Sequence, residues 1–148
     1  KERKDRVEDA LAATRAAAKE GYVPGGGVAF LRAIEPVRAA AKKAKGDERF
    51  GFEILADALR FPTLRIATIS CEDGDLVVEK ILEQKGSTGF DAAKNEYRDL
   101  VKAGIIDPAL VATTALRNAA SVAGLMLTTD VIVAELEDET EPINGAIS

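Results

Sequence analysis

The stretch Gly21–Ala29 reads GYVPGGGVA and separates two segments with helical periodicity. Residues 8–20, which precede it, are rich in the helix formers Ala, Leu, Arg, Lys and Glu, and Gly21 ends that pattern. After it, apolar residues recur at spacings of three and four over residues 30–41, which predicts a second helix. Pro36 lies inside this pattern and should kink or split the helix, because proline lacks the amide hydrogen that a helix interior needs.

Further helical patterns follow along the chain. Asp47 is a predicted N-cap for a third helix, because a side-chain oxygen at that position can bond to the first free amides. A fourth helix follows the interruption at Pro62, and a short fifth helix follows the polar turn that contains Gly74. Residues 86–93 contain two glycines and two small hydroxyl residues, and they predict a turn or a short pair of strands.

The C-terminal third is predicted to contain one long helix. Asp107 and Pro108 form a strong helix start, because Asp favours the N-cap and Pro the first helical position. This helix should run to about Thr128, and the alternation in Asp130–Leu136 predicts a strand. Residues 137–148 are acidic and predicted to be disordered. The chain as a whole is therefore expected to be mostly α, with a few short β-strands.

Composition excludes several classes of function. The chain has 148 residues, of which 47% are hydrophobic, enough for one domain with a real core. Its 20 basic and 25 acidic residues give a net charge of −5 without a large basic cluster, so a nucleic-acid partner is not expected. The sequence contains no histidine, the commonest general base and metal ligand. No metal site is predicted in this chain.

Cysteine content and apolar runs give two further expectations. The single cysteine, Cys71, cannot form an internal disulfide, which fits a reducing compartment. The longest weakly polar stretch, Ala119–Leu127, is shorter than the roughly 20 apolar residues of a membrane span. No membrane partner is therefore expected.

Three features could carry chemistry on residue type alone. Gly25–Gly27 precede a helix, where glycines let a ligand approach the backbone, although a plain loop explains them as well. Asp9 lies among other acids on the first helix and could equally be a solvent-facing carboxylate. Asp107 is a predicted N-cap whose carboxylate could also accept a hydrogen bond from a sugar hydroxyl.

Four blocks of sequence, taken together, resemble the signatures of group I chaperonins of the GroEL type. They occur in the family's order and spacing: Lys4–Ala17 (KDRVEDALAATRAA), Gly21–Ala29 (GYVPGGGVA), Gly104–Pro108 (GIIDP) and Asn118–Thr129 (NAASVAGLMLTT). The resemblance covers residues 1–136, nearly the whole chain. It identifies the chain as the C-terminal part of a chaperonin subunit.

The resemblance implies an organisation. Residues 1–20 would form the last helix of the intermediate domain, and residues 21–136 the C-terminal half of the equatorial domain, with a hinge at Gly21. Residues 137–148 would be an acidic tail. The parent subunit is expected to be a bacterial, cytoplasmic ATPase that forms a homo-oligomeric double ring. Its expected partners are a co-chaperonin and unfolded client polypeptides.

The resemblance also assigns roles to single residues. Asp9 matches the catalytic aspartate that positions the water attacking the γ-phosphate of ATP. The nucleotide-binding residues implied by the family are Gly25 and Gly26 beside the nucleoside, Asp91, Ala92 and Ala93 at the adenine, Asp107 at the ribose, and Ile105 nearby. The loop for the phosphates and Mg²⁺ would belong to the N-terminal half of the equatorial domain, so the fragment alone is expected to lack ATPase activity.

Two departures from the family pattern and two alternatives accompany this interpretation. Asp91 stands where some members carry Asn, and an acidic segment replaces the Gly-Gly-Met-rich tail of many members. The first alternative is a free-standing helical interaction module without a nucleotide role. The second is a small carboxylate hydrolase acting alone, which is disfavoured because no second acid pairs with Asp9.

Overall fold

The structure is a computed structural model that describes residues 2–131 and residue 133. Helices dominate and the strands are short, so the prediction of a mostly α fold with a few short strands is confirmed. The elements in chain order are α1 (Glu2–Glu20), β1 (Tyr22–Pro24), α2 (Val28–Ala41), α3 (Glu48–Ala58), α4 (Phe61–Ile69), α5 (Gly74–Leu82), β2 (Thr88–Asp91), β3 (Glu96–Asp99), β4 (Ile106–Pro108) and α6 (Ala109–Leu127).

The chain divides into two compact units, residues 1–114 and 115–148. The first unit holds a hydrophobic core built by α2, α3, α4, α5 and the β2–β3 hairpin. Its fully or nearly fully buried apolar residues are Val28, Leu31, Ile34, Ala41, Ala56, Leu59, Ala67, Val77, Val78, Ile81, Phe90 and Leu100. Each large member contributes about 1.5–3 kcal/mol through removal from water.

Arg32 ties α2 to the segment that connects α5 to β2. Its guanidinium donates hydrogen bonds to the carbonyl oxygens of Ile81 (3.0 Å), Gly86 (3.0 Å) and Thr88 (3.1 Å). Partial burial lowers the pKa of Arg32 from its ordinary value. Because one side chain satisfies three main-chain oxygens, the entry to the hairpin is fixed relative to α2.

Helix α2 remains unbroken at Pro36. The predicted split is wrong, since the helix runs from Val28 to Ala41 with Pro36 inside it. Pro36 is exposed, so water can bond to the carbonyl that loses its helical partner. Leu31 and Ala41, on either side of the proline, are both buried and hold the two halves in the same core.

Asp47 takes the N-cap position of α3, as predicted, but does not cap the helix with its side chain. Asp47 precedes α3, but its backbone is already helical (φ −68°, ψ −24°) and its side chain makes no capping hydrogen bond. Asp73 caps α5 instead, because its extended backbone (φ −69°, ψ 106°) directs the carboxylate at the amides of Asp75 and Leu76. Residue type alone did not distinguish these two aspartates.

The first unit contains two antiparallel strand pairs. β1 pairs with β4, with Tyr22 opposite Pro108 and Val23 opposite Asp107. Asp107 and Pro108 therefore belong to a strand, and the predicted start of the helix at Pro108 is one residue too early. Helix α6 starts at Ala109, whose amide donates to the Gly21 oxygen (3.0 Å). The pairing with β1 keeps Asp107 extended.

The second pair, β2 with β3, forms a hairpin. Residues 86–93 were predicted to form a turn or a pair of short strands, but they hold only β2, and its partner β3 lies beyond them. Phe90 lies opposite Tyr97, and Asp91 lies opposite Glu96. The rings of Phe90 and Tyr97 pack with their centroids 5.5 Å apart. The hairpin is joined to the core through Phe90, which is 5% exposed.

Helix α6 ends at Leu127, close to its predicted end at Thr128. In the part of the chain that the structure describes, it is the one helix whose length and composition would suffice to cross a membrane, with a mean hydropathy of 1.3. The expectation that no stretch is long enough therefore needs correction. One such helix is weak evidence for a membrane, because helices of soluble proteins pass the same test.

Two sequence predictions fall largely outside the described residues. Of the predicted strand Asp130–Leu136, only residues 130, 131 and 133 are described, and none of them is in a strand. The predicted acidic tail, residues 137–148, lies entirely outside the described part of the chain.

Candidate functional site

The glycine turn Gly25–Gly27 joins β1 to α2 and requires glycine for steric reasons. The Gly25 amide donates to the Ile105 oxygen (3.0 Å), and a Cβ on Gly25 would lie 3.2 Å from three atoms of Ile105. Gly27 has φ +77°, and a Cβ there would lie 2.5 Å from Thr63 Oγ1. The Thr63 hydroxyl donates to the Gly26 oxygen (3.0 Å), which fixes the turn against α4.

The glycine turn also lies beside the β2–β3 hairpin. Gly26 has φ +62°, and a Cβ on it would lie 3.2 Å from Leu100 Cδ1 and 3.7 Å from the Phe90 oxygen. Gly89 faces Val28 at the start of α2, where a Cβ would collide with the Val28 side chain. The C-terminal end of β2, where Asp91 lies, is therefore next to the glycine turn.

Asp91 is buried and its carboxylate is already engaged. The side chain is 6% exposed; Oδ1 accepts from the Ala93 amide (3.2 Å), and Oδ2 lies 3.6 Å from Arg98 Nη1. The Lys94 amide donates to the Asp91 main-chain oxygen (3.2 Å). Asp91 thus closes the turn that carries Ala92 and Ala93, so a ligand beside this turn would meet their backbone and methyl groups before the Asp91 carboxylate.

Asp107 lies on the rim of a small pocket between α1 and β4. The pocket has a volume of about 180 Å³ and is lined by Ala13, Thr14, Ala17, Tyr22, Ile106, Asp107 and Pro108. The Asp107 residue remains exposed, and partial desolvation raises the pKa of its carboxyl above the ordinary value. Its carboxylate is therefore available to accept a hydrogen bond from a hydroxyl group.

Asp9 lies on the exposed surface of α1, which packs against β4. It precedes Ala13 by four residues and Ala17 by eight, and both alanines line the Asp107 pocket. Residues at this spacing share one face of a helix. Asp9 is therefore on the pocket-facing side of α1, about one turn beyond the pocket lining.

The structure brings most of the predicted residues to one corner of the first unit. Gly25 bonds to Ile105, Asp107 pairs with β1, and Gly26 adjoins the strand that ends at Asp91. Asp9 lies outside this corner and shares only a face of α1 with Ala13 and Ala17. Within the described residues, no group of three or more acidic or cysteine side chains could hold a metal ion.

Sequence reasoning missed three residues that shape this corner. Thr63 holds the glycine turn, Tyr22 lines the Asp107 pocket, and Arg98 pairs with Asp91. The alternation in the hairpin offers a signal for Arg98, because positions 91 and 98 fall on the same face once Phe90 is paired with Tyr97. Thr63 offers no such signal, since its contact joins residues 37 positions apart.

Comparisons with known proteins place the chain in a family. The model of the TCP-1/cpn60 chaperonin family matches residues 1–137, and the chain belongs to this family. Its structure is similar to the crystal structure of a group III chaperonin in the open state, with a TM-score of 0.73 and 28% sequence identity. The match covers 80% of this chain and 25% of that one, so the chain spans about a quarter of the chaperonin's length. Assignment to group I remains a prediction.

Proposed function

We propose that this chain is part of an ATP-dependent chaperonin subunit that assists protein folding within a double ring. Family membership supports a role in protein folding, and chaperonins are generally ATPases. The observation that carries the nucleotide role is the convergence of Gly25, Ile105 and Asp107 on one corner, beside the strand that leads to Asp91.

In this proposal, residues 1–20 are the last helix of the intermediate domain and residues 21–136 are half of the equatorial domain. Residues 137–148 form an acidic tail. Identical subunits, a co-chaperonin and unfolded polypeptides are the partners, and the bacterial cytoplasm is the location. The similarity to an open-state chaperonin supports assembly into an oligomer.

The described residues fit the adenosine part of ATP. Gly25 and Gly26 bring the main chain close to Ile105 and to the end of β2, beside which the base would lie. Asp107 is exposed and has no cation paired with it among the described ion pairs, so it can accept from a ribose hydroxyl. The donor set does not fit Mg²⁺, since no acidic cluster is present in the described part of the chain. The phosphates and Mg²⁺ would be held mainly by a part of the subunit outside this chain.

Asp9 is the proposed catalytic residue. A carboxylate accepts hydrogen bonds from a water molecule and can orient it for in-line attack on a phosphoryl group. Because Asp9 lies on α1, its distance from the corner depends on how α1 is oriented. Gly21 would act as the hinge, since it has φ +80° and a Cβ there would meet nothing within 4 Å. Asp9 would then set both the rate and the timing of hydrolysis.

Replacing Asp9 by alanine in the full-length subunit tests this assignment. We expect D9A to bind ATP with near wild-type affinity and to hydrolyse it about 100-fold more slowly or worse, because water positioning acts in the transition state. Asp5→Ala is the matched control, since Asp5 is an exposed aspartate one turn earlier on the same helix. Near wild-type turnover by D9A would remove Asp9 from the mechanism.

The 148-residue chain by itself provides a second test. We expect no measurable ATPase activity from it, because the phosphate and Mg²⁺ groups would come from elsewhere in the subunit. Steady phosphate release that depends on Mg²⁺ would contradict this expectation and revive the self-contained carboxylate hydrolase.

The alternative class is a helical interaction module without a nucleotide role. Such a module has no reason to bring a glycine turn, an exposed carboxylate and a capped hairpin turn to one corner, which supports the nucleotide interpretation. Binding of ATP to the full-length subunit separates the two classes, since an interaction module would show none.

A further inference from the structure

Arg98 occupies a position on the hairpin that gives it influence over the base-binding turn. It lies opposite Gly89 in the register, on the same face as Asp91 and Glu96, so its guanidinium reaches Asp91 diagonally across the two strands. Nη1 is 3.6 Å from Asp91 Oδ2 and 2.9 Å from Glu96 Oε1. Gly89 contributes no side chain of its own at the position opposite Arg98.

The environment of the Asp91–Arg98 pair is asymmetric. The Asp91 side chain is 6% exposed, whereas that of Arg98 is 34% exposed and that of Glu96 is 51% exposed. Glu96 can be solvated by water if its contact to Arg98 is lost. Asp91 cannot, because its remaining polar contact is the Ala93 amide inside the turn.

The far end of the turn has its own anchor. Asn95 has φ +54°, and its side-chain amide donates to Glu72 Oε1 (2.6 Å), which joins the turn to the loop before α5. The turn is thus held at both ends, by Asn95 at its C-terminal end and by the Asp91–Arg98 pair at its start. Only the anchor at the start lies beside the glycine turn.

We propose that Arg98 is a positioning residue for base binding, which holds the Asp91 carboxylate in the turn so that Ala92 and Ala93 face the base. This inference rests on the proposed nucleotide function and deepens it. Asp91 then acts on the base through the turn that it closes. The charge of Asp91 makes the cation at position 98 necessary, and an uncharged residue at position 91 would not need it.

The test uses the full-length subunit and separates base contacts from phosphate contacts. Loss of the cation paired with the nearly buried Asp91 carboxylate should raise the KM for ATP of Arg98→Gln about tenfold. The kcat should stay within about twofold, because the residue acts on binding and not on the transition state alone. Inhibition by inorganic tripolyphosphate, which has no base, should be unchanged.

Two further variants complete the experiment. Asp91→Asn added to Arg98→Gln should return the KM for ATP towards the wild-type value, since an amide oxygen still accepts from Ala93 without requiring a cation. Lys102→Gln is the matched charge control, because Lys102 is 85% exposed and pairs only with Asp99, at 3.7 Å, among the described ion pairs. It should leave the KM for ATP unchanged.

Four results would overturn the proposal. The first is a wild-type KM for ATP in Arg98→Gln. The second is a weakening of tripolyphosphate inhibition in Arg98→Gln as large as the rise in its KM for ATP, which would indicate general damage to the domain. The third is a failure of Asp91→Asn to restore ATP binding to Arg98→Gln. The fourth, a wild-type subunit that neither binds nor hydrolyses ATP, would also overturn the proposed function, whereas the first three would leave that function intact.

Discussion

Helix α1 precedes the glycine turn in the chain and α2 follows it, yet only α2 contributes residues to the core. Both are rich in alanine and arginine, and α1 is the longer, with 19 residues against 14. α2 buries Val28, Leu31, Ile34 and Ala41, whereas α1 buries no residue. The two helices are therefore similar in these residue types but differ in how many residues they bury.

This difference bears on how the proposed site could work. An element with few buried apolar contacts opens at a lower free energy than the core it is attached to. Helix α1 contacts the rest of the first unit mainly at β4, and its apolar residues Val7 and Leu11 remain 63% and 48% exposed. In the proposed function, α2 would hold the glycine turn in the core, while α1 would carry Asp9 towards or away from it.

The largest expected effect comes from the same substitution made in each helix. Leu31 is 1% exposed in α2, and Leu31→Ala should lower the free energy of unfolding by about 3 kcal/mol, because it leaves a cavity in the core. Leu11→Ala, in α1, should cost about 0.5 kcal/mol or less. Denaturant unfolding of the chain, followed by circular dichroism, measures both.

An equal loss of stability in the two variants would break the comparison. It would mean that α1 is packed as firmly as α2, and the proposed movement of Asp9 about Gly21 would lose its physical basis. A wild-type slope of the unfolding free energy against denaturant for Leu31→Ala is needed to attribute its effect to the native state.

The glycine turn provides the next largest effect. Gly27→Ala should lower the free energy of unfolding by about 2 kcal/mol, since it adds backbone strain at φ +77° to a collision with Thr63. Gly46→Ala is the matched control: Gly46 has φ +60°, but a Cβ there would meet nothing within 4 Å. It should cost only the strain, about 1 kcal/mol. Thermal unfolding of both variants distinguishes strain from collision, and equal losses would show that α4 does not press on the turn.

The sequence predicted the elements of this fold better than their boundaries. Periodicity located the helices because apolar spacing reflects which face each helix buries. It failed where pairing between distant segments decided the conformation: Asp107 and Pro108 look like a helix start, but pairing with Val23 and Tyr22 keeps them in a strand. The burial difference between α1 and α2 was equally hidden, because it depends on which neighbours each helix meets.

The candidate site shows the same division. Resemblance to a family indicated Asp9, Gly25 and Asp107, and the structure places Gly25 and Asp107 on paired or adjoining segments. It could not indicate that the carboxylate of Asp91 is occupied, since that depends on Arg98 and on the conformation of the turn. Candidate residues could be named from the sequence, whereas the partners of their side chains could not.

The smallest expected effect concerns Asp107, in the strand against which α1 packs. Its folded-state pKa is raised by desolvation, so the charged form is favoured by the unfolded chain. The stabilising contribution is present below the unfolded pKa and is lost as pH rises through the folded pKa. Asp107→Asn should therefore stabilise the chain at neutral pH by about 0.5 kcal/mol or less, because solvent screens an exposed carboxylate. The gain should fade below about pH 4.

Asp99→Asn is the control of opposite sign for this measurement. A hydrogen bond from the Ser87 hydroxyl and a weaker effect of one from the Lys102 amide lower the pKa of Asp99. The contribution of Asp99 to stability is therefore present above its unfolded pKa and is lost as pH falls through its folded pKa. Asp99→Asn should destabilise the chain at neutral pH, and the difference from wild type should shrink on acidification. Urea unfolding at a series of pH values measures both variants. If Asp107→Asn also destabilised at neutral pH, the charge of Asp107 would be compensated within the chain, and its availability to a ribose hydroxyl would be in question.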